Sequence, residues 1–138
     1  MVIADTGFWL ALANRADHDH EQATAALDAL AEPLITTWPV MAETCYLLLT
    51  RLGDHSQRAF IESFTAGAFD AFPLGREHAP RISALMEEYA SLPMDLADAS
   101  LVVLAEHLGH GRILSTDRRD FGVYRFKRHR PFENLLGS

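Results

Sequence analysis

The chain has one cysteine, a single lysine (Lys127) and no long apolar run. Cys45, in the setting Glu43-Thr44-Cys45-Tyr46-Leu47, has no partner for an internal disulfide and reads as a buried, inert thiol. No Cys/His spacing of the zinc-binding kind occurs, nor a glycine-rich phosphate loop, nor the G-x-S-x-G of a serine nucleophile elbow. Those absences set aside zinc modules, P-loop nucleotide chemistry and the common serine hydrolases. No stretch approaches 18 apolar residues, and no charged-then-apolar start resembles a signal peptide. The expectation is a cytoplasmic protein with no membrane contact. Positive charge is scarce too: 12 basic residues against 19 acidic ones give a net charge of −7. Taken as a whole, that balance disfavours a polyanionic partner.

What is present changes that reading. At 138 residues with 49% hydrophobic content, the chain is expected to form one domain, residues 1–138, and to bury roughly 65–70% of its unfolded surface. There is no internal repeat, low-complexity tract or linker. The basic residues are concentrated: Arg112, Arg118, Arg119, Arg125, Lys127, Arg128 and Arg130 all fall in the last quarter. A basic tail on an acidic body is either a rim that contacts phosphates or an edge strand guarded by solvated charge.

Short apolar runs alternate with helical patterns. Residues 1–4, 34–36, 68–72 and 112–115 read as strands, with 123–126 as a fifth at the sheet edge. Helices are expected at 6–14, 21–31, 39–52, 55–66, 76–90 and 95–107. Pro39 suits the first turn of its helix, and Gly53, Gly67 and Gly109 stand where helices stop. Strands alternating with helices predict an α/β fold with a parallel sheet covered on both faces. Ligands of such sheets bind beyond the carboxyl ends of the strands.

Four acids stand at that edge. Asp5 ends the first strand and Asp117 the fourth, in Ile113-Leu114-Ser115-Thr116-Asp117-Arg118-Arg119-Asp120-Phe121. Glu43 and Asp98 lie in the opening turns of two helices that follow strands or turns. Asp5 and Asp117, taken singly, read as helix N-caps, and Asp95 as the cap of the helix carrying Asp98. Glu43 and Asp98 sit among apolar neighbours with no nearby Lys or Arg to pair them. Burying a carboxylate there is costly without compensation, and converging carboxylates repel until some protonate. A hard divalent cation, Mg²⁺ or Mn²⁺, one or two per site, resolves the conflict and suits phosphodiester displacement. His18-Asp19-His20-Glu21 reads as a capped helix start, and Phe8, Trp9 and Trp38 as packing aromatics.

The order Asp5-Thr6-Gly7, Glu43, Ala97-Asp98-Ala99-Ser100-Leu101 and Ser115-Thr116-Asp117-Arg118-Arg119-Asp120-Phe121 resembles the PIN domain, and within it the VapC toxins of prokaryotic toxin–antitoxin pairs. The likeness spans essentially the whole chain. It implies a three-layer α/β/α sandwich around a central, mainly parallel sheet of four to five short strands. It also implies Mg²⁺- or Mn²⁺-dependent endoribonuclease activity. By this resemblance the catalytic and metal-holding acids are Asp5, Glu43, Asp98 and Asp117, with Asp120 as a supplementary metal acid. Thr6 and Ser115 supply supporting hydroxyls; the family often has Thr where Ser115 stands. Arg118, Arg119 and Arg112 are the expected RNA contacts. The resemblance further implies a homodimer and a small VapB-like antitoxin as partner. The same acids are compatible with a nuclease acting on DNA or structured flaps, and with a PIN fold that binds metal or RNA without cutting. A phospho-acceptor receiver domain fits less well, because the chain has one acid after the first strand and no lysine at the last.

Overall fold

The computed structural model describes residues 1–137. Val2–Ala4 (β1) is wholly buried and ends at Asp5, whose side chain caps Thr6–Ala13 (α1). His20–Ala29 (α2) and Leu34–Thr37 (β2) follow. Thr37 caps Trp38–Arg51 (α3), with Pro39 in its first turn where no amide is required. Asp54–Thr65 (α4) returns to Phe69–Phe72 (β3). A short 3₁₀ turn, Arg76–His78, leads into Ala79–Glu88 (α5). Leu96–Leu108 (α6) runs from the Asp95 cap to Gly109, whose φ of 80° is the left-handed geometry glycine tolerates. Arg112–Leu114 (β4), Arg118–Val123 (α7), Arg125–Phe126 (β5), Arg130–Pro131 (β6) and Glu133–Asn134 (β7) complete the described chain.

The main sheet has the order β3-β2-β1-β4-β7, and every neighbouring pair is parallel. β1 lies in the middle, flanked by β2 and β4, so Val2, Ile3, Ala4, Ile113 and Leu114 are fully buried. α6 explains its own position: Ala97 and every residue from Ala99 to Ala105 are buried, and a helix apolar on all sides belongs in a core. A second apolar focus is aromatic, with Trp9 against Phe8, Phe60 and Phe69 at centroid distances of 4.5–5.4 Å. Helices cover both faces, giving the expected three-layer α/β/α arrangement.

The fifth strand is not where the sequence pattern put it. The segment expected at 123–126 pairs only as Arg125–Phe126, antiparallel to Arg130–Pro131, in a separate two-stranded hairpin. The edge place beside β4 is taken by Glu133–Asn134. Two-residue strands carry no alternation to read, so register there is decided by packing: Phe126 is buried against Phe132, and Tyr124 against Phe121 and Tyr89. The helix expected over 76–90 is split by the 3₁₀ turn, and α7 carries too few residues to show a helical period. The remaining boundaries agree within a residue or two.

Candidate active site

Strand direction brings the ends of β1 and β4 together. The Asp5 amide donates to the Leu114 carbonyl at 3.1 Å, so the residues after both strands emerge side by side. Asp5 is only 6% exposed. Its Oδ1 accepts from the Thr6 amide at 2.7 Å and its Oδ2 from the Ser115 hydroxyl at 2.8 Å. Ser115 Oγ in turn accepts from the Asp117 amide at 2.9 Å, and Asp117 Oδ1 accepts from the Asp120 amide at 3.1 Å. The N-cap readings of Asp5 and Asp117 are therefore correct as local structure.

Asp98 enters from α6. Its amide donates to Asp95 Oδ1 at 2.8 Å, which makes Asp95 the helix cap. Its carboxylate accepts from the Tyr124 hydroxyl at 3.0 Å. Two residues further along, Ser100 Oγ lies 2.6 Å from Thr37 Oγ1, tying α6 to the start of α3, the helix that carries Glu43. Asp5, Asp98 and Asp117 bear on one another electrostatically, and Glu43 bears on Asp5. The four acids thus gather at the carboxyl edge, as the alternation of strands and helices requires.

Their protonation reflects that gathering. Burial is the main force raising the Asp5 carboxyl to about 6; the charges of Asp117 and Glu43 add to it, against the two hydrogen bonds. Burial, then Asp95 and Asp5, pushes Asp98 up to about 8, although Tyr124 opposes the shift. Asp117 is raised as well, first by burial and then by Asp120 beside it. None of Asp5, Glu43, Asp98 and Asp117 makes a salt bridge to a basic side chain among the described residues.

The donor set consists of carboxylate and hydroxyl oxygens, the ligands hard cations take. Among the described residues no three His, Cys, Asp or Glu side chains stand close enough to share one ion directly. Asp5, Asp98 and Asp117 are each turned instead toward a donor of their own. Mg²⁺ commonly uses one or two carboxylates and retains its waters, so the set fits an ion held largely through water. The buried Thr6 Oγ1, which has no hydrogen-bond partner, is a further oxygen left unsatisfied beside Asp5.

The three arginines expected to meet RNA part company. Arg112 opens β4 at the opposite, amino end of the sheet, where both its terminal nitrogens bind the Glu32 carboxylate; its place is structural, not at the site. Arg118 bridges to Gln22 Oε1 at 2.9 Å and the Gly137 carbonyl at 3.2 Å. Arg119 alone reaches into solvent beside the acids, its side chain 82% exposed and its Nε 3.3 Å from Asp120.

Asn134 and Tyr124, which shape the site, escaped the sequence reading, and Gly7 was read there only as part of Asp5-Thr6-Gly7 without a role. Asn134 clamps Ser115 from both sides, accepting its amide at 3.2 Å and donating to its carbonyl at 2.8 Å. Tyr124 orients Asp98. Gly7 lets α1 approach the Thr116 loop, since a Cβ there would overlap the Thr116 hydroxyl. Asn134 left a faint signal, a lone amide before Leu135-Leu136; Tyr124 was one aromatic among several.

The class that this fold and edge define is an α/β/α sandwich with buried and half-buried acids at the carboxyl edge of a parallel sheet. The profile of the PIN domain matches residues 2–127. Ribonuclease VapC26 of Mycobacterium tuberculosis (strain H37Rv) is 31% identical over 124 residues, covering 90% of this chain and 92% of that protein. The crystal structure of Mycobacterium tuberculosis VapC20, described as a sarcin–ricin loop cleaving toxin, matches with a TM-score of 0.84 at 21% identity, over 95% of this chain and 100% of that one. At that identity the likeness to VapC20 is one of fold. The chain belongs to the PIN domain family.

Proposed function

We propose that this protein is an endoribonuclease, the toxin of a VapBC-type toxin–antitoxin pair, and that it requires Mg²⁺ or Mn²⁺. The observation that carries the reading is the gathering of Asp5, Asp98 and Asp117, with Glu43 bearing on Asp5, where the three aspartates are raised and only the exposed Arg119, near Asp117, opposes the rise. Membership of the PIN family and the relation to VapC26 support the choice of RNA over DNA. The same relation supports a VapB-like antitoxin as partner, a homodimer and a cytoplasmic location. The whole chain is read as one domain.

Asp5, Glu43, Asp98 and Asp117 would hold one or two divalent ions, with Asp120 alongside. Bound there, the ions would activate water and offset the charge that builds on the phosphate. The chain's own groups set the stage. Ser115 and the Thr6 amide fix the Asp5 carboxylate in one rotamer, and Asn134 fixes Ser115. Tyr124 fixes Asp98. The exposed Arg119 guanidinium is placed to meet a phosphate oxygen with a charge-assisted bond, which positions the strand without reading its sequence.

End-labelled total tRNA and ribosomal RNA, incubated with the protein in Mg²⁺, Mn²⁺ or EDTA, test the reading. Discrete cuts that need the metal and vanish in the Asp5→Asn/Asp98→Asn double variant are expected. Equal cutting by that variant would overturn the assignment of these acids; no cutting under any metal would overturn the ribonuclease reading.

A further inference from the structure

The β5–β6 hairpin has a conformational oddity at its tip. Lys127 and Arg128 have φ of 47° and 70°, and among the described residues they are the only non-glycine residues with positive φ. Left-handed geometry disfavours L side chains, and Gly or Asn fill it at least cost. Two consecutive long basic side chains in that geometry are a poor choice for turn stability alone. Packing does not dictate them either: Lys127, Arg128, His129 and Arg130 are all exposed. Strain retained at a surface position is a reason to look for a function there.

The tip is firmly seated. The Lys127 amide donates to Glu106 Oε2 at 2.7 Å, the Arg130 guanidinium donates to the Gly109 carbonyl at 3.0 Å, and the same guanidinium lies 4.9 Å from the Phe126 ring centroid. The acid closest to hand is already neutralised, because Glu106 accepts two hydrogen bonds from Arg81 at 2.9 Å each. Lys127 Nζ and the Arg128 and His129 side chains have no hydrogen bond or ion pair among the described residues; the Lys127 charge faces only Glu106, which Arg81 already binds, so the tip presents excess positive charge on a chain of net charge −7.

The tip also has a fixed relation to the acids. The hairpin strand leaves the site at Tyr124, which binds Asp98, and meets α6 again at Glu106 through Lys127. Asp98 and Glu106 are eight residues apart on one helix, about 12 Å at 1.5 Å per residue. Three residues of extended chain from Tyr124 to Lys127 span about 10 Å, in agreement. The tip thus stands about 10–12 Å from the acids, a reach that a single RNA strand covers within a few nucleotides.

We propose that the Lys127–Arg128 tip is a phosphate-gripping arm that holds the RNA strand a few nucleotides beyond the cleaved bond. This inference rests on the ribonuclease reading and extends it: the substrate must run past the cut far enough to reach the hairpin. The charge is kept at the tip in spite of the backbone strain it brings.

Stability and binding are therefore set against each other. In Lys127→Asn/Arg128→Gly, both positions receive residues that accept positive φ, and the melting temperature is expected to rise by a few degrees. Binding of a fluorescein-labelled 30-nucleotide RNA, measured in an Asp98→Asn background so that nothing is cut, is expected to weaken about tenfold at 150 mM salt. The log–log salt dependence should become shallower by roughly 1.4–1.8, the loss of two phosphate contacts. A dinucleotide spanning the cut, too short to reach the hairpin, should bind the two proteins alike. Lys127→Gln/Arg128→Gln keeps polar, unbranched side chains and the strain but not the charge; it should lose binding without the gain in stability. Unchanged affinity and salt slope for the long RNA would overturn the arm, as would an equal loss with the short one. If the parent protein cuts RNA in Mg²⁺ and the tip variants cut long RNA as fast, the arm fails and the ribonuclease reading stands. If the parent cuts nothing, the reading itself fails.

Discussion

The two ends of the same sheet treat acidic residues in opposite ways. At the amino end, Glu32 accepts both terminal nitrogens of Arg112 and the amino group of Met1, and those bonds hold its carboxyl down at about 2. Toward that end of α6, burial pushes Glu106 up, but Arg81 and the Lys127 amide outweigh it and the net shift is downward. At the carboxyl end, Asp5 and Asp98 rise to about 6 and about 8 with no cationic side chain beside them. An acid with a built-in partner is part of the scaffold. Acids held together without one leave the fold to bear their repulsion or their protonation.

The largest effect should come from removing one unpaired acid. Asp98→Asn keeps a hydrogen-bond acceptor for Tyr124 and removes a charge that burial and Asp95 disfavour. RNA cleavage is expected to be abolished, while the melting temperature at pH 8 in chelator rises above that of the parent. A variant that still cuts at the parental rate, or melts lower at pH 8, would erase the distinction between the two ends.

The second effect is the pH dependence of stability. The folded-state carboxyls of Asp5 and Asp98 lie above their unfolded values near 4, so the folded protein binds more protons than the unfolded one between about pH 4 and pH 8. Stability contributed by these groups is full below pH 4 and is lost as pH rises through 6 and 8. In EDTA, urea midpoints should fall steadily over that range. Millimolar Mg²⁺ should flatten the fall, because a cation favours the ionised forms. A flat profile in EDTA would show that the acids do not bear on one another as their positions imply.

How much of this contrast was legible beforehand follows from what produces it. Asp5, Glu43, Asp98 and Asp117 were readable because alternating strands and helices force strand ends and helix starts to one edge, whatever the packing details. The cap role of Asp95 was readable because capping is local. Arg112 was misplaced by its neighbours in sequence: charge clustering suggested a common rim, yet Arg112 begins its strand whereas Asp117 follows the strand's end, so one short β-strand separates them in space. Asn134 and Tyr124 act across long sequence separations from irregular segments, where neither a helical nor a strand period marks them. The fifth strand was misassigned for the same reason, since two residues of β7 are selected by their fit against β4 and not by pattern.

A smaller effect should follow from breaking a scaffold pair. Arg81→Met would leave Glu106 partly buried with only the Lys127 amide as donor. The bidentate pair is partly exposed, with side-chain exposures of 33% and 19%, so a loss of about 1 kcal/mol is expected. Urea denaturation at pH 7 checks it. Cleavage of a short RNA should be unaltered, because neither partner touches the acids. A loss of cleavage comparable to that of Asp98→Asn would mean that the ends of the sheet are coupled.

Glu32→Gln should have the smallest effect, and its sign makes the comparison sharpest. Glu32 is depressed to about 2 by hydrogen bonds from Arg112 and the amino terminus. Its contribution is present above its unfolded value near 4.5 and is lost as pH falls through 2. Because the pair is exposed and screened, the loss at pH 7 should be slight and should shrink further as salt is added. The acid limb of the stability profile, below pH 4.5, should flatten, while the fall between pH 4 and pH 8 in EDTA stays as in the parent. Asp98→Asn should do the reverse, flattening the upper limb and sparing the lower. Each substitution thus weakens one limb and spares the other only if Glu32 is stabilised by being ionised and Asp98 by being protonated. A Glu32→Gln protein whose upper limb also changed would show that the two sets of acids form one electrostatic system across the length of the sheet.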